Sequence, residues 1–505
     1  MAEGGKSIHF QGNPPNFSVS SISRYLGTRV ITLKPPSFAE HKHLLNPIPA
    51  LRLISGKQWG FIMIAFAAWT WDAYDFFTVS LSATEIAKDL NRPLNDITWG
   101  ITLVLMLRSI GSVIFGVLGD KYGRKLPFLI NVGLFAVIEL GCGFVQTYEQ
   151  FLAVRALFGI IMGGIYGTCA ATALDDCPLE ARGIISGFLQ QGYAFGYLLC
   201  VAIHRAADTN PHGWRVLFWY GCIAPAVFFV IRLFMGETEA FLAIKNQERA
   251  EPSNGFFKQA KAAGKTYWLI FIYMILFMAG MNFMSHGSQD LFPTFLSTQL
   301  EFGKDRSTVT NSVANFGALA GGIIIGHLSQ FVGRRLCIIV CCVVGGALIY
   351  PWAFIHNNGI NASVFFLQFC VQGAWGVVPV YISELSPPNF RTLIVGTAYQ
   401  LGNLASSASS TIETTIGQQF PLYDSNGVQI AGKFNYGKVM AIFMGCVFGY
   451  ELLIAFIGPE KRDSGSDEHA AEDLAAQEMK LGLEKEQTMF REDFEQRSED
   501  AAHKA

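Results

Sequence analysis

Within one long apolar stretch, the run Asn282-Phe-Met-Ser285-His286-Gly-Ser288-Gln289-Asp290-Leu-Phe-Pro293-Thr294 sets polar groups at helical spacing. Asn282, Ser285, His286, Gln289 and Asp290 share one stripe, with His286 and Asp290 one turn apart. Histidine titrates near neutral pH, so a His-Asp pair can accept a proton on one side of a membrane and release it on the other. Gly287 and Pro293 would let such a helix bend. Arg108 sits near the middle of a second apolar run, where a guanidinium offers a fixed fork of donors to a carboxylate. A permanent ion pair with Asp72 or Asp75 competes with that role. These two acids stand three residues apart in Trp-Asp-Ala-Tyr-Asp-Phe-Phe, on one helix face, and either is a candidate proton carrier. Arg155, Glu139, Glu413 and Glu451 also fall in apolar runs, where structural pairing is the expectation.

Such charges need a setting that tolerates them. Hydrophobic residues make up 51% of the 505 and charged residues 15%, well below the charged fraction of about a quarter usual in soluble domains. A net charge of -2 offers no basic surface for nucleic acid. The ten cysteines lie mostly in apolar runs without zinc-like or paired spacing, and read as small core residues. No phosphate-cradling loop, metal cluster or nucleophile elbow is present, which argues against an enzyme, a bound cofactor and ATP-driven transport.

Crossing a bilayer takes roughly 20 apolar residues. Twelve such stretches are predicted, near 59–82, 97–118, 126–145, 151–174, 183–203, 214–235, 267–292, 308–328, 336–355, 362–382, 393–416 and 438–458. They give an all-α membrane protein of two six-helix halves, 59–235 and 267–458. The N-terminal arm (1–58), central loop (236–266) and charged tail (459–505) flank them. Lys and Arg concentrate in alternate connections, which places both termini in the cytoplasm. The arm lacks the apolar core of a secretory leader. Asn361-Ala-Ser363 is a glycosylation triplet, close to the membrane. The tail reads as a solvated segment, whose lysines are candidates for ubiquitin-dependent regulation.

Two loop signatures recur between the halves. Gly116-Val-Leu-Gly-Asp120-Lys-Tyr-Gly-Arg124-Lys125 is followed 210 residues on by Gly326-His-Leu-Ser-Gln330-Phe-Val-Gly-Arg334-Arg335, and Asp175-Asp-Cys-Pro-Leu-Glu-Ala-Arg182 is followed 209 on by Glu384-Leu-Ser-Pro-Pro-Asn-Phe-Arg391. Two signatures at one offset mean two halves of one build. The loops resemble the hallmark of the major facilitator superfamily, departing from it at Gln330, where an acid is usual. The resemblance implies a gate in which Gly116 allows close helix approach and Asp120 pairs with a base of the opposite half, with Arg124 and Arg334 in the two copies.

The run around His286 is similar to the pattern Asn-x-x-Ser/Thr-His-x-Ser/Thr-Gln-Asp-x-x-x-Thr of the fungal Jen-type lactate/pyruvate:proton symporters, within the sialate:proton symporter group. That resemblance implies a multi-pass plasma-membrane permease for short monocarboxylates, some relatives preferring succinate or malate. It further implies proton coupling at His286 and Asp290, and substrate binding by Arg108, Gln400 and Asn403. Where the lactate carriers have an aromatic residue in the fifth span, this chain reads Leu189-Gln190-Gln191-Gly192, and Gln190 could bond a second carboxyl group. The expectation is proton-carboxylate symport by alternating access. Dicarboxylate or sialate symport, and a non-transporting sensor on the same fold, are the alternatives.

Overall fold

The computed structural model describes residues 17–35, 45–207, 210–250, 256–355, 357, 359–417, 419–423 and 429–460. Ten of its helices are long and apolar enough to cross a membrane, matching predicted spans two to ten and twelve. The predicted first and eleventh spans are also helical, as Gly56–Asp89 and as Arg391–Ser406 followed by Ser409–Gly417. Their lower apolarity comes from the polar residues they bring inward: Asp72 and Asp75 in the first, Gln400 and Asn403 in the eleventh. The charged tail beyond 460 lies outside the described residues.

Several elements differ from expectation. The central loop carries a helix, Glu239–Ala250, and the seventh span begins as early as Phe256. The outer connection before the twelfth span pairs 421–423 antiparallel with 429–434. Helix Phe256–Gln289 runs through Gly287 without interruption and ends before Pro293. A Cβ at Gly287 would meet the Phe443 ring of the twelfth span, so this glycine serves close packing and not a bend. Asn361 sits in the first turn of the tenth span, its side-chain oxygen accepting from the Thr310 hydroxyl at 2.9 Å.

The halves meet along five spans that pack closely across the seam: the second against the eleventh, and the fifth against the eighth and tenth. Small residues make this possible. A Cβ at Gly183 would stand 2.7 Å from the Gly326 carbonyl oxygen, and one at Gly167 would stand 2.7 Å from the Thr392 carbonyl oxygen. Van der Waals packing of small residues is what holds helices together where lipid supplies no hydrophobic drive. Glycine contacts across the seam at 167, 183 and 326 lie toward the cytoplasmic ends, so this side is shut.

Candidate functional site

Between the halves, the mid-membrane parts of six spans enclose a cavity. The first half contributes Phe76, Leu105, Arg108, Gln190 and Tyr193; the second contributes Asn282, Ser285, His286, Gln372, Trp375, Tyr399 and Asn403. Arg108 and His286 thus face one space from opposite halves. The space is about 20 Å³, room for roughly one water, so admission of a carboxylate requires the halves or the lining side chains to separate.

Arg108 donates to Asp72 Oδ2 at 3.3 Å and approaches Met162 Sδ at 2.7 Å, while its Nε has no hydrogen-bond partner among the described residues. The guanidinium is therefore held by one acid from behind and keeps donor capacity for an anion. Below it, toward the cytoplasm, Tyr166 and Tyr399 stack at 3.9 Å, with Trp69 and Trp375 edge-on to Tyr399. This aromatic cluster forms a floor.

The seventh span presents His286 between two partners. Its Nδ1 lies 3.0 Å from Asp290 Oδ2 and its Nε2 lies 3.1 Å from Asn403 Oδ1. A carboxamide oxygen accepts, so Nε2 carries hydrogen, and the contact between Nδ1 and Asp290 then contains one shared proton. The His286 side chain is 8% exposed and that of Asp290 29%, so Asp290 connects the buried imidazole to the outer side.

Other sequence-predicted residues fall elsewhere. Gln289 turns to the tenth span and donates to Gln368 Oε1 at 3.0 Å, away from the cavity, because its stripe position faces that helix. Asp75 is also off the cavity, joined to Arg155 at 3.0 Å beside Glu139. Gln400 is fully buried but not among the lining side chains; the Ser109 hydroxyl donates to its backbone carbonyl at 3.3 Å. Glu413 and Glu451 were expected to be paired, yet their buried carboxyl oxygens have no hydrogen-bond partner among the described residues. Sequence reasoning missed Gln372, an amide in the apolar tenth span that reaches the cavity, and the aromatic lining.

The cytoplasmic gate also differs in detail. Asp120 accepts the backbone N–H groups of Thr392 and Leu393 at 3.0 and 2.9 Å, at the start of the eleventh span, and pairs with Arg124 of its own half at 3.1 Å. Two orphan donors at a helix N-terminus are a better match to a carboxylate than a distant base. The opposite half's base, Arg391, instead pairs with Asp175 at 2.8 Å, and Arg124 reaches Asp175 at 3.2 Å. Burial alone would raise the Asp175 pKa, but the Arg124 and Arg391 guanidinium groups hold it below the usual carboxylate range. Gly116 fits this seam, since a Cβ there would lie 2.6 Å from the Leu393 Cα. In the second copy, Arg334 bonds Glu384 at 2.8 Å, Gln330 at 2.9 Å and Ser329 at 2.8 Å, all within its own half. With Gln330 in place of an acid, that copy holds no ionic contact through Arg334 to the first half among the described residues.

Two like-built halves, a central cavity and paired cytoplasmic loops define a membrane transporter and not an enzyme. The family model described as Major Facilitator Superfamily matches residues 51–410, and the chain belongs to that family. A carboxylic acid transporter protein homolog of Saccharomyces cerevisiae is 40% identical over 466 residues, 88% of this chain and 75% of the relative. The sialic acid transporter NanX of Escherichia coli is 25% identical, covering 71% and 87%. Among solved structures, the proton:xylose symporter XylE of E. coli matches at a TM-score of 0.67 and 17% identity, over 83% of this chain and 99% of that one, a likeness of fold alone.

Proposed function

We propose that the protein carries a short monocarboxylate, such as lactate or pyruvate, together with a proton across the plasma membrane by alternating access. The observation that carries this reading is Arg108 and His286, the latter paired with Asp290, facing one cavity from opposite halves. Two cationic groups in a confined space repel, and an anion between them relieves the repulsion. Substrate therefore favours the protonated pair, and by reciprocity the proton favours substrate. Asn403 orients the imidazole, Gln190, Gln372, Asn282 and Ser285 are available to the rest of the substrate, and Asp120, Arg124 and Arg391 hold the inner gate until the halves rock. The carboxylic acid and sialic acid transporters among its relatives support an acidic substrate.

Arg108 is the only permanent cation lining the cavity among the described residues, and Asp72 already offsets part of its charge. That supports one carboxylate over two. The test is uptake of labelled lactate into proteoliposomes under an imposed inward proton gradient, with pyruvate, succinate, malate and sialate as competitors. Gradient-driven uptake that pyruvate competes and that His286→Ala abolishes is expected. Uptake by His286→Ala at the wild-type rate, with the same response to the gradient, removes the coupling role.

A further inference from the structure

Before the first span, Val19–Ile31 forms a helix whose contacts are the reverse of those of an ordinary surface helix. Its polar side is the docked one. The Tyr25 hydroxyl donates to the Ile457 carbonyl at 2.9 Å, and Arg29, itself buried, donates to the Gly458 carbonyl at 2.6 Å. Arg335 completes the join by donating to Thr32 Oγ1 at 2.9 Å. Cations and donors at the last carbonyls of the twelfth span satisfy groups that a helix end leaves open.

The apolar side faces away from the protein. Val19, Ile22, Leu26 and Val30 follow one another at three- and four-residue spacing and lie on one stripe, exposed by 84%, 42%, 50% and 67%. Such a stripe turned into water would be costly. Its level is fixed by the docking bonds, which reach the final turn of a membrane span, where hydrocarbon gives way to headgroups. The stripe is also continuous with lipid-facing surface: Leu453 and Ile457 are exposed on the twelfth span, and Phe17 meets exposed Trp268 of the seventh at 6.0 Å.

We infer that residues 19–31 are an interfacial helix, lying in the inner leaflet with the Val19-Ile22-Leu26-Val30 stripe in the acyl region and Tyr25 and Arg29 clamped to the second half. This helix, set in an arm that is polar by composition, is thus a membrane-surface anchor.

The experiment places the photoreactive residue p-benzoylphenylalanine at Leu26 in the full chain, reconstituted in phosphatidylcholine/phosphatidylserine vesicles, with the lipid-facing position Leu453 and the exposed position Lys245 of helix Glu239–Ala250 as references. Irradiation should give a one-phospholipid mass adduct at Leu26 at a yield similar to Leu453 and several-fold above Lys245. A cross-linked dimer in its place would show that a second copy covers the stripe, and a yield no higher than at Lys245 would show that it faces water; either overturns the inference. As a second measurement, Leu26→Asp should expose Arg29, buried in the docked helix, to trypsin from the cytoplasmic side several-fold more than in the wild type. Equal cleavage would count against anchoring.

Discussion

His286 Nε2 and Asn403 Oδ1 stand 3.1 Å apart, joining the seventh and eleventh spans at the wall of the cavity that Arg108 reaches from the other half. The contact fixes which imidazole nitrogen bears hydrogen and directs the exchangeable proton to the Asp290 side. In Asn403→Asp a carboxylate would face Nε2 and favour the imidazolium, as an opposite charge within about 4–6 Å does. The pH at which proton-driven uptake falls off should therefore move upward by about one unit or more. Initial uptake rates from pH 5 to 8 measure this, and an unchanged profile would exclude Asn403 as the residue that orients His286.

Arg108 offers a fork where lysine offers a point charge. Arg108→Lys keeps the charge and the Asp72 partner but loses the planar donors, and a hydrogen bond to a charged group is worth about 1.5–3 kcal/mol. The KM for the carboxylate should rise about 10- to 100-fold, with a smaller change in maximal rate. Concentration dependence of uptake, in membranes with matched amounts of protein, separates the two parameters.

How far these arrangements were legible beforehand depends on range along the chain. The helices and the His286-Asp290 turn follow from periodicities within a few residues, and the two halves from loop signatures that recur at one offset; the structure shows that pair at 3.0 Å. Partners between distant spans do not follow in this way. Asp72 and Asp75 share a face and a composition, yet one meets Arg108 and the other Arg155, a choice set by how the first span is rotated against the second and fourth. Gln289 shares the His286 stripe, but the stripe is wide enough to face both the cavity and the tenth span. The amphipathic order of Val19–Ile31 is hidden by a polar average composition, because its serines and arginines mask four apolar residues on one side.

The inner gate leaves no room at Gly116. An added Cβ would press on the Leu393 backbone at 2.6 Å, whereas one at Gly346 meets nothing within 4 Å. Gly116→Val should therefore separate the second and eleventh spans and favour opening to the cytoplasm, lowering uptake at least tenfold, an increment of about 1.4 kcal/mol in the balance of states. Gly346→Ala should transport normally. Accessibility of a gate cysteine to a membrane-impermeant thiol reagent from the cytoplasmic side reports the same shift independently of rate.

Asp175 gives the gate a defined pH response. Its pKa is depressed in the closed gate by Arg124 and Arg391, so its contribution is fully present above the ordinary carboxylate pKa of about 3.9 and is lost as pH falls through the lowered value. The part of gate closure that rests on Asp175 should be flat across neutral and mildly acidic cytoplasmic pH and weaken only in strong acid. Asp175→Asn, which leaves both arginines without their acid, should open the gate at every pH. Loss of closure in the wild type between pH 7 and 6 would assign the response to another group.

Gln190 and Gln372 project into the cavity from opposite halves, and neither side-chain oxygen has a hydrogen-bond partner among the described residues. Buried carboxamide oxygens left without a donor are costly, by about 1–3 kcal/mol for each lost bond, so a substrate hydroxyl that donates to one of them is favoured over a substrate lacking it. Replacing either by leucine removes that requirement. Gln372→Leu should lose about tenfold in affinity for lactate while retaining propionate, which keeps the carboxylate for Arg108 but has no 2-hydroxyl. Competition of labelled lactate uptake by unlabelled propionate measures the ratio, and an equal loss for both acids would reduce Gln372 to a packing residue.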